Sequence, residues 1–291
     1  MTDTEQQPGS ASGEWHLVPA VEAARAAALH RANVAAWNQA AQRYRDNLDN
    51  TVAFLRAGNS SVHPIERADL ERLGPIAAWC HDAVHLQCAS GRDTLSLLRE
   101  GVQRVAGVDI SPVHVENARR LSETLGLDGV SEWHCCDVLD VPHSLDGRFD
   151  LVYTGMGALC WIHDIEGWAA VAARLLRPGG VLHVFDNHPF MWMWDDSTDT
   201  LQVHPTASYF DQAGISTGWS HDYLPGLEGE AKHERSWTFT DVVGAVLGHG
   251  MELLHLAEHR EDYGCEFFPH LPPEQHARIP ITFSLMARKK A

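Results

Sequence analysis

Between residues 83 and 185 short apolar runs alternate with stretches whose apolar residues recur every three or four positions, the signature of strands alternating with amphipathic helices. The first run, Ala83-Val84-His85-Leu86, breaks at a turn of small residues, Gln87-Cys88-Ala89-Ser90-Gly91, and passes into a helix expected over Thr94 to Glu100 with Leu95, Leu97 and Leu98 on its apolar side. Arg104 to Asp109 reads as a second strand, after which Ser111 and Pro112 provide an N-cap and a first turn for a helix through Val113, Val115, Ala118 and Leu121. Third and fourth strands are expected at Ser131 to Cys136 and Phe149 to Thr154. Asp164 can cap the next helix, which Arg177-Pro178-Gly179-Gly180 stops, and Val181 to Phe185 is a fifth strand. Repeated units of this kind build an α/β fold with a parallel sheet and helices on both faces.

The flanks read differently. Residues 1–13 are polar and expected to be disordered, and 14–74 form a helical addition, with one helix from Val18 to about Asn47 and a short one from Pro64 to Leu73. Residues 75–291 make up the sheet domain. Within it, 186–237 lose all periodicity and are rich in Trp, His, Asp, Pro and Gly, which marks an insertion where a substrate would be met or through which copies of the chain could associate. Thr238 and Asp241 form a capping box for a helix from Val242 to Leu247, and strands at Glu252 to His259 and Ile281 to Arg288 close the pattern.

Charge narrows the partners. With 22 Lys and Arg against 39 Asp and Glu, the net charge is −17 and no basic run offsets it, which disfavours nucleic acid and anionic membrane surfaces. No stretch approaches the apolar length of a membrane span, and no secretory leader pattern is visible, so a cytoplasmic protein is expected. The six cysteines contain no CxxC pair and read as buried free thiols. Nineteen histidines invite a metal, but HExxH is absent and His255 and His259, although four apart, fall in an expected strand; no metal site is expected.

The turn after the first strand carries chemistry. Backbone N–H groups at a helix start are unpaired, and small residues let a ligand approach the main chain. Asp109 ends the second strand 18 residues beyond Gly91, where a carboxylate can accept from both hydroxyls of a ribose. Because open parallel sheets bind ligands outside the carboxyl ends of their strands, His85, Asp109, Asp137 and Thr154 should converge on one edge.

Together these residues resemble the class I S-adenosylmethionine (SAM)-dependent methyltransferases over roughly residues 75 to 290. That family reads acid, apolar residue, Gly-Cys-Gly-Thr-Gly at its first strand; here His85-Leu86-Gln87-Cys88-Ala89-Ser90-Gly91 occupies those positions, a form similar to a bacterial subgroup with His-Leu-Gln-Cys and Asp-Thr-Leu-Ser. The resemblance implies a Rossmann-like seven-stranded sheet, mostly parallel with its last strand antiparallel, and SAM as cofactor. It places His85, Gln87, Ala89, Gly91 and Thr94 around the cofactor's turn, Asp109 on its ribose, Ile110 against its adenine, and Asp137 and Val138 on the adenine amine. Thr154 and Tyr44 are further candidate cofactor contacts, Tyr44 with core packing as its competing role.

Methyl transfer to a small, partly apolar acceptor is the activity implied, with in-line attack at nitrogen or oxygen. If the acceptor loses a proton, His188, Asp186 and Tyr153 are candidate bases, with His163 behind them. Trp37, Trp161, Trp192 and Trp194 are candidate substrate contacts. Three alternatives stay open: cyclisation of SAM on its own amine, a non-catalytic SAM-binding module, and a nucleotide-dependent oxidoreductase. The last is disfavoured by a turn with one glycine, since a pyrophosphate needs more.

Overall fold

The computed structural model describes residues 13–17, 25–210, 212–217, 230–263 and 267–290. Strand β1 (Gly13–Leu17) precedes helices α1 (Ala26–Asp46), α2 (Leu48–Arg56), α3 (Pro64–Glu71) and the single turn α4 (Ile76–Trp79). The alternating region follows as β2 (Asp82–Leu86), α5 (Arg92–Glu100), β3 (Arg104–Asp109), α6 (Pro112–Leu125), β4 (Ser131–Cys135), β5 (Phe149–Gly155), α7 (Ile165–Leu175) and β6 (Leu176–Asn187). Then come β7 (Gln212–Thr217), β8 (Ala231–Ser236), α8 (Phe239–Gly248), β9 (Met251–His259), α9 (Pro273–His276) and β10 (Thr282–Lys289).

Seven strands form one sheet in the order β4-β3-β2-β5-β6-β10-β9, with β10 antiparallel to both neighbours and the rest parallel to one another. This is the Rossmann-like arrangement expected. Period-two alternation splits the core by face. Val84, Leu86, Val108, Val152 and Leu182 pack with α7 and α8 around a fully buried Trp168. Ala83, Val105, Leu151 and Tyr153 pack on the other face with Leu95, Val115 and Leu121, joined by Leu55 of α2 and Leu70 of α3. Each of the large apolar side chains contributes about 1.5–3 kcal/mol by leaving water. Ser111, Asp164 and Thr238 cap their helices as their spacing predicts, Thr238 in a capping box with Asp241.

Several expectations are corrected. Gly13–Leu17, expected as the end of the disordered tail and the start of the helical addition, is a strand: it pairs antiparallel with β7, which pairs with β8, so that the insertion and the N-terminal segment share a separate three-stranded sheet. The sequence of the insertion hides this because its strands lie far apart in the chain and mix polar residues on both sides. α5 starts at Arg92 rather than Thr94. Strand β6 begins at Leu176, so Arg177-Pro178-Gly179-Gly180 is an irregular stretch of strand and not a loop before it; pairing with β5 slips between Phe149 and Leu151 to absorb the extra residues. The disordered tail expected at 1–13, apart from Gly13, and the helical turns expected at 18–24 lie outside the described residues. Among the described residues no helix is long and apolar enough to cross a membrane, and no group of three or more His, Cys, Asp or Glu could hold a metal ion. The five described cysteines are all free.

α1 decides what surrounds the carboxyl edge of the sheet. It packs on α6 and β8 instead of on either sheet face. Asn33 exchanges two hydrogen bonds with the backbone of His233 (2.8 and 2.7 Å), as a neighbouring strand would, and Asn117 of α6 donates to the carbonyl of Ala41. The helix therefore lies across the ends of β3 and β4, where the two strand-end acids sit.

Candidate functional site

The turn after β2 is held in an uncommon backbone conformation. Gln87 and Ala89 have φ of 60° and 46°, and Gly91, the N-cap of α5, has φ of 82°. Left-handed geometry costs a side-chain-bearing residue about 1–2 kcal/mol, so something must hold the turn. Asp109 does: its carboxylate accepts from the N–H of Ala89 (2.9 Å) and, through its other oxygen, from the N–H of Ser111 (2.8 Å). A carboxylate offers about four acceptor positions, so capacity remains at the edge where a ribose would lie. Burial raises the Asp109 pKa, which its hydrogen bonds from Ser111 and Ala89 oppose. Gly91 is required for packing, since an added Cβ would come within 2.6 Å of the Trp133 ring.

His85 and Gln87, two of the residues that depart from the glycine-rich pattern, do different things. The His85 ring is buried, bonded to the Thr94 hydroxyl at 2.9 Å and edge-on to Tyr153. It braces the first turn of α5 from inside, and Thr94 is wholly buried with it. Gln87 instead reaches across the edge: its Nε2 donates to the carbonyl of Ala158 at 2.8 Å, while its Oε1 is buried with no partner among the described residues. A buried acceptor left unpaired costs about 1–3 kcal/mol. A ligand ammonium at this spot would satisfy it, and the amino group of a methionine moiety is such a donor. Thr154 donates to the carbonyl of Leu86 and is wholly buried, so it ties the ends of β2 and β5 together.

α1 reaches the other end of the site. His30 Nε2 accepts from the N–H of His163, so the ring proton is on Nδ1, which donates to both oxygens of Asp137 at 2.9 and 3.0 Å. Asp137 also accepts from the N–H of Leu139. Ser111 donates to Asn38 at 2.7 Å, and Tyr44 and Trp37 lie against His114, whose Nδ1 is bonded to Ser90 in the turn. Trp37 meets Trp161 edge-on with centroids 4.9 Å apart. Ile110, half-buried, and Val138, buried, flank these acids. Nothing in the sequence pattern flags His30 or Asn38, whose partners are 107 and 73 residues away.

The three residues expected to handle protons are not brought together. Tyr153 points under α3, where its hydroxyl donates to Glu66 at 2.6 Å, and its ring stacks on His183. His85, Tyr153 and His183 are register partners on adjacent strands and so share one face, a row that alternation along β2, β5 and β6 could have revealed. His188 caps a short 3₁₀ turn through Nδ1 and pairs with Glu258 through Nε2 at 2.8 Å, which leaves neither nitrogen for a substrate. Asp186 is 2% exposed and accepts from the N–H groups of Gly157, Ala158, Leu159 and Asn187. Burial still pushes it up to about 6. Its structural task is clear: it fixes residues 157–159, whose Ala158 Gln87 grips from the other side.

Beside that loop is a small cavity bordered by Asp186, Cys160, Trp192, Arg235, Ser236 and Trp237. Of the four candidate substrate tryptophans, Trp192 lines it and Trp37 and Trp161 lie together under α1, whereas Trp194 packs on Phe190 and in a satellite core with Met191 and Ile281.

The buried imidazoles also set a pH dependence. Burial lowers His85 and His163 from 6.5 to about 4. Each folded-state value lies below the unfolded one, so the unfolded chain binds more protons and stability is lost as pH falls from about 6.5 to about 4. For His85 the loss over that window is about 3 kcal/mol. His85→Gln, which keeps a hydrogen bond to Thr94 within reach, should flatten that part of the acid limb; equal acid sensitivity in denaturant titrations of both proteins would assign it to other groups.

Residues 83–180 match the model of a family described as a methyltransferase domain. A malonyl-[acyl-carrier protein] O-methyltransferase of Hahella chejuensis is 33% identical over 103 residues, which cover 35% of this chain and 34% of that protein. The chain thus spans about a third of the length of the curated relative it matches. Among solved structures, the CcbJ methyltransferase of Streptomyces caelestis superposes with a TM-score of 0.54 at 16% identity, over 79% of this chain and 91% of that one. A SAM-dependent methyltransferase of Mesorhizobium loti gives 0.53 at 21% identity, over 76% and 96%. Geranyl diphosphate C-methyltransferase of Streptomyces coelicolor, solved with Mg²⁺, geranyl-S-thiolodiphosphate and S-adenosylhomocysteine, gives 0.52 at 14% identity, over 77% and 76%. At these identities the superpositions establish a shared fold.

Proposed function

We propose that this protein, whose residues 83–180 match a methyltransferase-domain model, transfers a methyl group from SAM to a small, partly apolar acceptor. The observation that carries the reading is the strained turn of Gln87 and Ala89 fastened to Asp109, with the unpaired Oε1 of Gln87 buried beside it. In this reading Gln87 takes the ammonium of the methionine moiety, Asp109 the ribose hydroxyls, and Ile110, Val138 and Asp137 the adenine. Bound there, SAM supplies a sulfonium methyl that is electrophilic without further activation. The chain's share is then to align the acceptor and exclude water. Asp186 serves by fixing residues 157–159 between the cofactor turn and the cavity, and Trp192 and Trp237 give that cavity its apolar wall. No side chain is assigned as a base, because Tyr153 and His188 are committed elsewhere and Asp186 is held by four N–H groups.

The test is the fate of SAM. Calorimetry should show one SAM site per chain, and incubation with a cell extract of small molecules should yield S-adenosylhomocysteine. Methylthioadenosine formed from SAM alone would establish the cyclisation, and absence of SAM binding would sink both.

A further inference from the structure

Resting on the proposed methyl transfer, we propose that His30 of α1 is a positioning residue that sets the purine selectivity of the cofactor site. It holds the Asp137 carboxylate in the orientation that accepts the 6-amino group of adenine. The His30 side chain is 5% exposed and that of Asp137 9%, so their contact is shielded from bulk water. The imidazole is fixed on both sides. Its Nε2 accepts from the N–H of His163 at 2.9 Å, which puts the ring proton on Nδ1, 2.9 and 3.0 Å from the two oxygens of Asp137. The terminal torsion of an aspartate is otherwise broad, and a donor almost equidistant from both oxygens holds it in place.

The acceptor capacity left over is the second observation. Oδ1 also accepts from the N–H of Leu139 at 3.0 Å, whereas Oδ2 receives His30 alone among the described residues. A carboxylate offers about four acceptor positions, so Oδ2 keeps one for a ligand, and that ligand must bring a donor. Buried Val138 and half-buried Ile110 flank the acid, which suits a donor carried on an apolar ring. A 6-aminopurine is such a group. A 6-oxopurine would instead set an oxygen against the carboxylate, and this repulsion sharpens the choice. Anchoring of α1 does not by itself explain His30. Asn33 already ties the helix to the backbone of His233, Ser111 donates to Asn38, and Asn117 donates to the carbonyl of Ala41. These ties hold His30 over Asp137 ahead of binding, so the carboxylate need not be ordered by the ligand.

The test compares three ligands by calorimetry: S-adenosylhomocysteine, the same molecule with hydrogen in place of the 6-amino group, and S-inosylhomocysteine. Wild type should prefer the amine over the 6-hydrogen analogue by at least about tenfold, and over the inosyl form by more. His30→Leu, which keeps bulk and removes the donor, should bring both ratios to within about threefold. His30→Asn, whose amide N–H falls near the place of Nδ1, should recover most of the preference. His30→Ala replaces the leucine variant if that one does not unfold cooperatively. Because the readout is a ratio within one variant, a loosened helix that weakens all three ligands alike does not alter it. A wild type without preference, ratios unchanged in His30→Leu, no better preference in His30→Asn than in His30→Leu, or tighter adenosyl binding once His30 is removed would each overturn the proposal. The last would make His30 a competitor for Asp137. Failure of all three ligands to bind wild type would count against the methyl-transfer reading itself, so the two failures are distinguishable.

Discussion

Replacing Asp109 by alanine is expected to weaken SAM binding by about a hundredfold or more, that is about 3 kcal/mol. Two losses combine. The ribose acceptor disappears, and the N–H groups of Ala89 and Ser111 lose the carboxylate that holds them. With it goes the restraint on two non-glycine residues in left-handed conformation, so the turn relaxes away from the shape that presents Gln87 Oε1. Asp109→Asn keeps one acceptor oxygen and should fall between wild type and alanine. Calorimetry with SAM on variants whose thermal unfolding stays cooperative is the measurement. An alanine variant that binds SAM as tightly as wild type would remove this edge of the sheet as the cofactor site.

The second large effect is on stability. Gly155 ends β5 with φ of 152°, and a Cβ there would lie 2.0 Å from the carbonyl oxygen of Phe185 in β6. Backbone faces backbone, so no rotamer change relieves the clash. Gly155→Ala should cost about 3 kcal/mol or more and lower the unfolding midpoint by roughly 10 °C. Gly244 in α8 is the control: among the described residues nothing lies within 4 Å of where its Cβ would stand, and Gly244→Ala should be neutral or stabilising by up to about 1 kcal/mol. A midpoint unchanged in Gly155→Ala would mean that the ends of β5 and β6 separate readily, and with them the loop that Asp186 fixes.

What is legible in the sequence is local. Ser111 before Pro112, Asp164, and Thr238 with Asp241 announce helix starts through hydrogen bonds spanning two or three residues, and the apolar runs at 83–86, 104–109 and 149–154 announce buried strands. Asp109 stands out as an acid at a strand end, where its carboxylate fastens the turn after β2. Tyr153 misleads for a related reason: its position near the end of β5 suggests chemistry, whereas the parity of the strand turns it toward Glu66. His30 and Asn33 carry no periodic or spacing signal, because each acts through a partner brought near only by the completed fold. The strands β1, β7 and β8 are hidden for the same reason: β1 pairs across most of the chain, and nothing near it in sequence reports its partner.

That long separation bears on how the molecule assembles. α1 emerges during synthesis before any strand of the large sheet exists, yet His30 bonds to Asp137 and Asn33 to His233, 107 and 200 residues later. Closing such distant contacts costs chain entropy that only an already formed sheet can offset. The segment made earliest is therefore among the last to settle, and until β8 has been made it has no final place to rest.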